Sequence, residues 1–125
     1  MNRALVLLAH GARNPSWAAP FEQVAAQLAA AQPGLPVRLA FLELMPPDLG
    51  TVLRALAQEG VTQVDVMPMF LGGSGHVLRD VPPLLHAARE ELGLDIHLHT
   101  ALGQQPGMVN AMAAVCLSVV RERAP

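Results

Sequence analysis

The sequence has no lysine, no tyrosine, one cysteine, one tryptophan and three phenylalanines among its 125 residues. Each shortage removes a class of function. All eight basic residues are arginines scattered singly along the chain and the net charge is −2, so no basic stripe exists to neutralise phosphates. Nucleic acid is therefore not an expected partner. Four large aromatic rings are too few for a base-stacking platform. The lone Cys116, in the apolar run AAVCLSVV, permits neither a disulfide framework nor a CxxC metal or redox motif, and is expected in the core. No apolar stretch reaches the roughly 18 to 20 residues of a membrane span, and ALVLLAH is too short and too poorly flanked for a signal peptide. The expectation is a soluble cytoplasmic protein with no membrane partner.

What the chain does have is apolar residues, 52% of the total, enough for one domain over residues 1–125 with a proper core. Four short apolar runs alternate with four helical stretches, which predicts an α/β fold: a four-stranded, mostly parallel sheet with helices on both faces. The predicted strands are ALVLLA (4–9), VRLAFLEL (37–44), VTQVDVMPMFL (61–71) and LDIHLHT (94–100). The first is a continuous apolar run, as a strand buried on both faces requires. The predicted helices cover 16–31, 46–60, 76–93 and 106–122. Trp17, Phe21, Val24 and Leu28 line one face of the first, with Ser16 as its N-cap. Prolines open the second and Gly60 closes it. In the third, the internal pair Pro82–Pro83 is expected to kink or break the helix.

In such a sheet all strands point their C-terminal ends to one edge, where ligands bind. Three polar residues leave successive strands there: His10 in LLAHGAR, Glu43 in AFLEL and His76 in LGGSGH. Two imidazoles and one carboxylate suit Co²⁺, Fe²⁺, Ni²⁺ or Zn²⁺ and leave coordination positions open, which implies exchange or chemistry. Their wide separation in sequence argues against a structural zinc knot. The backbone at Gly72, Gly73, Ser74 and Gly75 is bare enough for a large flat ligand to lie against it, with N–H groups for anionic substituents. A phosphate would suit the same loop, yet the G-K-S/T ending of a Walker loop is absent, and so is GxGxxG after the first strand.

LLAHGAR, AFLEL and PMFLGGSGHVLRDVP, in that order and spacing, resemble the signatures of class II chelatases, the sirohydrochlorin cobalt or iron chelatases of the CbiX and SirB type. The resemblance runs from residue 4 to about residue 106. It implies a flavodoxin-like arrangement in the short, single-lobe form, and a homodimer whose two lobes face one another across a tetrapyrrole cleft. It also implies that His10 and His76 serve as metal ligands and proton acceptors, with Glu43 as the assisting carboxylate. The implied reaction inserts a divalent metal, cobalt first with iron or nickel as alternatives, into sirohydrochlorin on the way to cobalamin or siroheme. No organic cofactor is implied, since the metal is itself a substrate. Arg13, Arg79 and the amides of 72–75 are the candidates to hold the macrocycle's carboxylates. Ala12 stands where the family usually has serine, which removes a hydroxyl near the cleft.

The other reactive side chains have plainer readings. His97 and His99 share a strand face and form either an auxiliary metal pair or, more simply, strand-end histidines. His86 is given no function. Met67 and Met69 are expected to fill the core. Asp80 either caps the helix that follows or orients His76. Two other classes compete with the chelatase: a non-catalytic Co²⁺ or Ni²⁺ carrier using the same three residues, and a phosphate-handling enzyme suggested by HGAR. Histidine phosphatases place an arginine directly before their H-G pair, and here Ala9 holds that position.

Overall fold

The computed structural model describes residues 2–72 and 78–123. Its strands are β1 (Arg3–Ala9), β2 (Val37–Phe41), β3 (Gln63–Pro68) and β4 (Asp95–Leu98), and they alternate with α1 (Ala19–Ala31), α2 (Leu49–Gln58), α3 (Val81–Leu92) and α4 (Met108–Glu122). All strand pairs are parallel, in the order β2-β1-β3-β4, which is the flavodoxin-like order. The chain steps from β1 outward to β2 and then crosses back to β3. This crossing puts the topological switch point between β1 and β3, beside the end of β1.

Alternation along the strands divides the core. Val6 and Leu8 of β1, Val64 and Val66 of β3 and Ile96 of β4 point to one face, where Leu53 and Leu56 of α2 and Leu85 of α3 complete the main cluster. On the opposite face Ala9 and Phe41 pack with Ala18, Phe21 and Leu39 in a smaller cluster under the start of α1. Helices therefore lie on both faces, as the strand–helix alternation required.

Several boundaries differ from expectation for identifiable reasons. β2 stops at Phe41 rather than residue 44, because the chain turns through Leu44 at φ 69° and into Pro46 and Pro47. The first helix is entered through a 3₁₀ turn, Pro15–Ala18, whose cap is Asn14 and not Ser16: Asn14 Oδ1 accepts the Ser16 N–H at 3.0 Å. Pro82 and Pro83 do not break α3. They occupy its first turn, where the backbone N–H groups have no intrahelical acceptor and proline costs nothing. Residues 76 and 77 of that expected helix lie outside the described residues.

α4 departs furthest from expectation. None of its residues is buried, and it packs chiefly on the 3₁₀ turn Leu102–Gln104 rather than on the sheet. Cys116, expected in the core, is exposed as a direct result. The part of the sheet face that α1 leaves uncovered forms a groove of about 810 Å³ lined by Leu5, Leu35, Asp65, Met67 and His99. Among the described residues no helix is long and apolar enough to cross a membrane.

Candidate metal centre

β1 delivers His10 to the C-terminal rim immediately after the buried Ala9. The ladder between β1 and β2 ends at Ala9 and Phe41, but hydrogen bonds continue past it. Leu42 N–H donates to Ala9 O at 2.9 Å and Glu43 N–H donates to His10 O at 3.0 Å, so the turn after β2 stays tied to the end of β1. Those bonds hold the side chains together, with His10 Nε2 2.7 Å from Glu43 Oε1. An ionised carboxylate can only accept, so Nε2 of a neutral His10 must carry the hydrogen, and Nδ1 is left with the lone pair that can take a proton or hold a metal. Both side chains are about half exposed, 48% and 57%, as an exchange site needs.

The wall beside this pair is apolar. The Trp17 ring packs at 4.9 Å on Phe21 and 6.4 Å on Phe41, and Met45 joins the same cluster while its sulfur accepts the Ala12 N–H at 3.4 Å. Arg13 is exposed three positions beyond His10. His76 and its neighbours Gly73, Ser74 and Gly75 lie outside the described residues. Gly72 is exposed, and among the described residues a Cβ there would meet nothing within 4 Å. Arg79 is exposed, and Asp80 stands at the N-cap position of α3 without a side-chain capping bond. Among the described residues no three metal-ligating side chains come together, so the pair His10–Glu43 is what the described rim contains of the expected triad.

The remaining histidines take the plainer readings. His97 and His99 do share a face, with ring centroids 4.3 Å apart, but His99 Nε2 lies 2.8 Å from Asp65 Oδ1, and Arg3 reaches the other oxygen of that carboxylate at 3.3 Å. The hydrogen bond from His99, with Arg3 adding to it against partial burial, holds the Asp65 carboxyl below its usual range. Asp65 went unnoticed in the sequence, since its partners are 34 and 62 positions away. His86 is exposed on α3, and Met67 and Met69 are half-buried rather than fully in the core.

Residues 4–117 match the CbiX family. Among curated relatives, the sirohydrochlorin cobaltochelatase of Methanopyrus kandleri is 32% identical over 82 residues, covering 66% of this chain and 57% of that protein. The sirohydrochlorin cobaltochelatase of Methanosarcina barkeri is 28% identical over 81 residues, covering 65% and 62%. The match thus spans about three fifths of the length of either relative. Among solved structures, a CbiX protein of Marinobacter aquaeolei VT8, named for cobalamin (vitamin B12) biosynthesis, superposes with a TM-score of 0.84 at 28% identity over 96% of this chain and 98% of its own. SirB of Bacillus subtilis, solved with Fe³⁺, gives a TM-score of 0.77 at 22% identity over 100% of this chain and 49% of its own, a likeness of fold alone.

Proposed function

The chain belongs to the CbiX family, and from that premise we propose that it inserts a divalent metal ion into sirohydrochlorin. The observation that carries the reading is the His10–Glu43 pair, 2.7 Å apart on the half-exposed rim at the C-terminal edge of the sheet. Metal insertion displaces two protons from the pyrrole nitrogens, strips water from the metal and needs the ring held while it deforms. His10 Nδ1 receives a pyrrole proton or passes the metal, and the Glu43 carboxylate stabilises the imidazolium that results. His76, by its place in the sequence after β3, supplies the opposing imidazole. Arg13, Arg79 and the backbone amides of 72–75 hold the macrocycle's carboxylates.

Cobalt is the preferred ion, with Fe²⁺ or Ni²⁺ as alternatives, and the cobaltochelatase names of the curated relatives support that order. The metal enters as substrate, and no organic cofactor takes part. We place the enzyme in the cytoplasm, with residues 1–125 acting as one lobe and a second copy supplying the other wall of the cleft.

The uncovered surfaces support the dimer. α4 is apolar almost all round, a composition that calls for burial on several sides, yet Val109, Val115 and Val120 are each about two thirds exposed. The helix has 15 residues, too few for a membrane span of ~20. At that length it is ~22 Å long, and half its lateral surface amounts to ~350 Å². Two such helices and the surfaces they cover total ~1,400 Å², within the ~1,200–2,000 Å² of a stable interface. Seating each α4 on the open sheet face of the other copy satisfies both surfaces under one two-fold axis.

The test is the absorbance of sirohydrochlorin with Co²⁺, followed with and without the protein and its variants. His10→Ala should slow enzyme-dependent insertion by ~10²-fold or more, and Glu43→Gln by ~10- to 100-fold, with circular dichroism unchanged. Cobalt binding with insertion at the uncatalysed rate would replace the chelatase with the carrier.

A further inference from the structure

Resting on the reading of His10 and Glu43 as the proton-handling pair, we propose that Gly11 is a positioning residue. By lacking a side chain it lets the Glu43 backbone close against the turn after β1, and that closure sets the His10–Glu43 contact. Gly11 is buried and has φ +103°, well beyond the left-handed well that asparagine or aspartate tolerates. A Cβ at this position would overlap the Glu43 carbonyl oxygen and come within 3.0 Å of the Glu43 carbonyl carbon and 3.5 Å of its nitrogen. All three nearest atoms belong to the backbone of one residue, and it is the residue that holds His10.

The obstruction is backbone, not the end of a flexible side chain, so a larger residue at 11 cannot be absorbed by a rotamer change. Glu43 is fastened to the same turn from the other side, its N–H donating to His10 O at 3.0 Å, while the side chains meet at 2.7 Å. Pushing the Glu43 carbonyl away by ~1 Å therefore strains the backbone bond and pulls Oε1 from Nε2, and misplacements of that size cost ~10²-fold in rate. The contrast with other glycines isolates the effect. Gly60 has φ +90° and Gly107 φ +91°, and a Cβ at either meets nothing within 4 Å. Those two glycines answer to conformation alone, whereas Gly11 answers to conformation and to Glu43.

The experiment compares Gly11→Ala with Gly60→Ala, which carries the same kind of conformational penalty far from Glu43. In Gly11→Ala the His10 ring ¹⁵N signals should move as they do in Glu43→Gln, and kcat for Co²⁺ insertion should fall ~10²-fold with KM little changed. Gly60→Ala should leave both at wild-type values. The double variant Gly11→Ala/Glu43→Gln should be no slower than Gly11→Ala alone, since the glycine acts through the carboxylate. Wild-type His10 signals in Gly11→Ala, or losses that multiply in the double variant, would overturn the proposal. Should Gly11→Ala fail to fold where Gly60→Ala folds, Gly11 holds up the fold rather than positioning Glu43, and the proposal falls. The ring signals report on the His10–Glu43 contact whether or not the protein turns over sirohydrochlorin, so failure of the chelatase reading and failure of this proposal give different results.

Discussion

Asp65 shows how much a single side chain in mid-strand can organise. It sits on β3 facing the open groove, takes a hydrogen bond from His99 at 2.8 Å and an ion pair from Arg3 at 3.3 Å, and so ties β1 to the end of β4 across β3. Because the His99 bond, with Arg3 behind it, lowers the folded carboxyl below its ordinary 3.8, the unfolded chain takes up the proton first as pH falls. The stabilisation is then complete above pH 3.8 and lost as pH drops through the lower folded value. Asp65→Asn should therefore unfold at lower urea than wild type from neutral pH down to that point, and the gap should close below it. With all three side chains partly exposed, the gap at neutral pH is expected to stay under ~1 kcal/mol. A gap that persisted below the folded value would mean the carboxylate is not what stabilises this contact. His10 and Glu43 were legible in the sequence because each ends an apolar run on the same rim. Asp65 was not, because nothing local in VTQVDVMP says that a histidine 34 positions later will return beside it.

At the scale of elements, α2 is the helix whose limits depend most on a side chain that can be tested. Asp48 caps it, Oδ1 accepting the Thr51 N–H at 2.8 Å, and its bonds to Thr51 lower its carboxyl pKa. Asp48→Ala should lower the stability measured by urea unfolding by ~1 kcal/mol, while Asp48→Asn, still able to accept that hydrogen bond, should retain most of it. The end of α2 was readable because Gly60 is a local signal, but its start was not: Pro46 and Pro47 were expected to open the helix, and it begins at Leu49 behind the Asp48 cap. Nor was the start of α1 readable. Ser16 looks like a cap in sequence, but Pro15 favours a preceding 3₁₀ turn, and Asn14 is the residue placed to close it. Proline position misled in the same way at α3: Pro82 and Pro83 read as interruptions only if the helix is assumed to begin at His76. Once it begins at Val81 they are in its first turn. Strands were overrun because apolar runs continue past the point where the chain turns, as Leu42 and Leu44 do beyond β2.

For the whole molecule the decisive feature is an apolar helix and an uncovered sheet face on the same chain that do not meet. Cys116 was expected inside because AAVCLSVV is apolar, and the composition was read correctly. What could not be read was that the surface burying it need not belong to its own fold, since hydrophobic patterning reports the need for burial and not the identity of the cover. If a second copy supplies the cover, wild-type protein should elute in light-scattering chromatography at twice its 13.2 kDa, and Val115→Glu/Val119→Glu should elute at 13.2 kDa. These two positions lie one helical turn apart and share a face, so the paired charges cannot both escape a packed interface. The Cys116 thiol should react slowly with a maleimide in the wild type and rapidly in the variant. Co²⁺ insertion should fall with dimerisation, because one lobe leaves the macrocycle held from a single side, while the His10 ring signals stay in place. A wild-type monomer with full insertion activity would show that one lobe suffices and that α4 is covered by something other than a second copy.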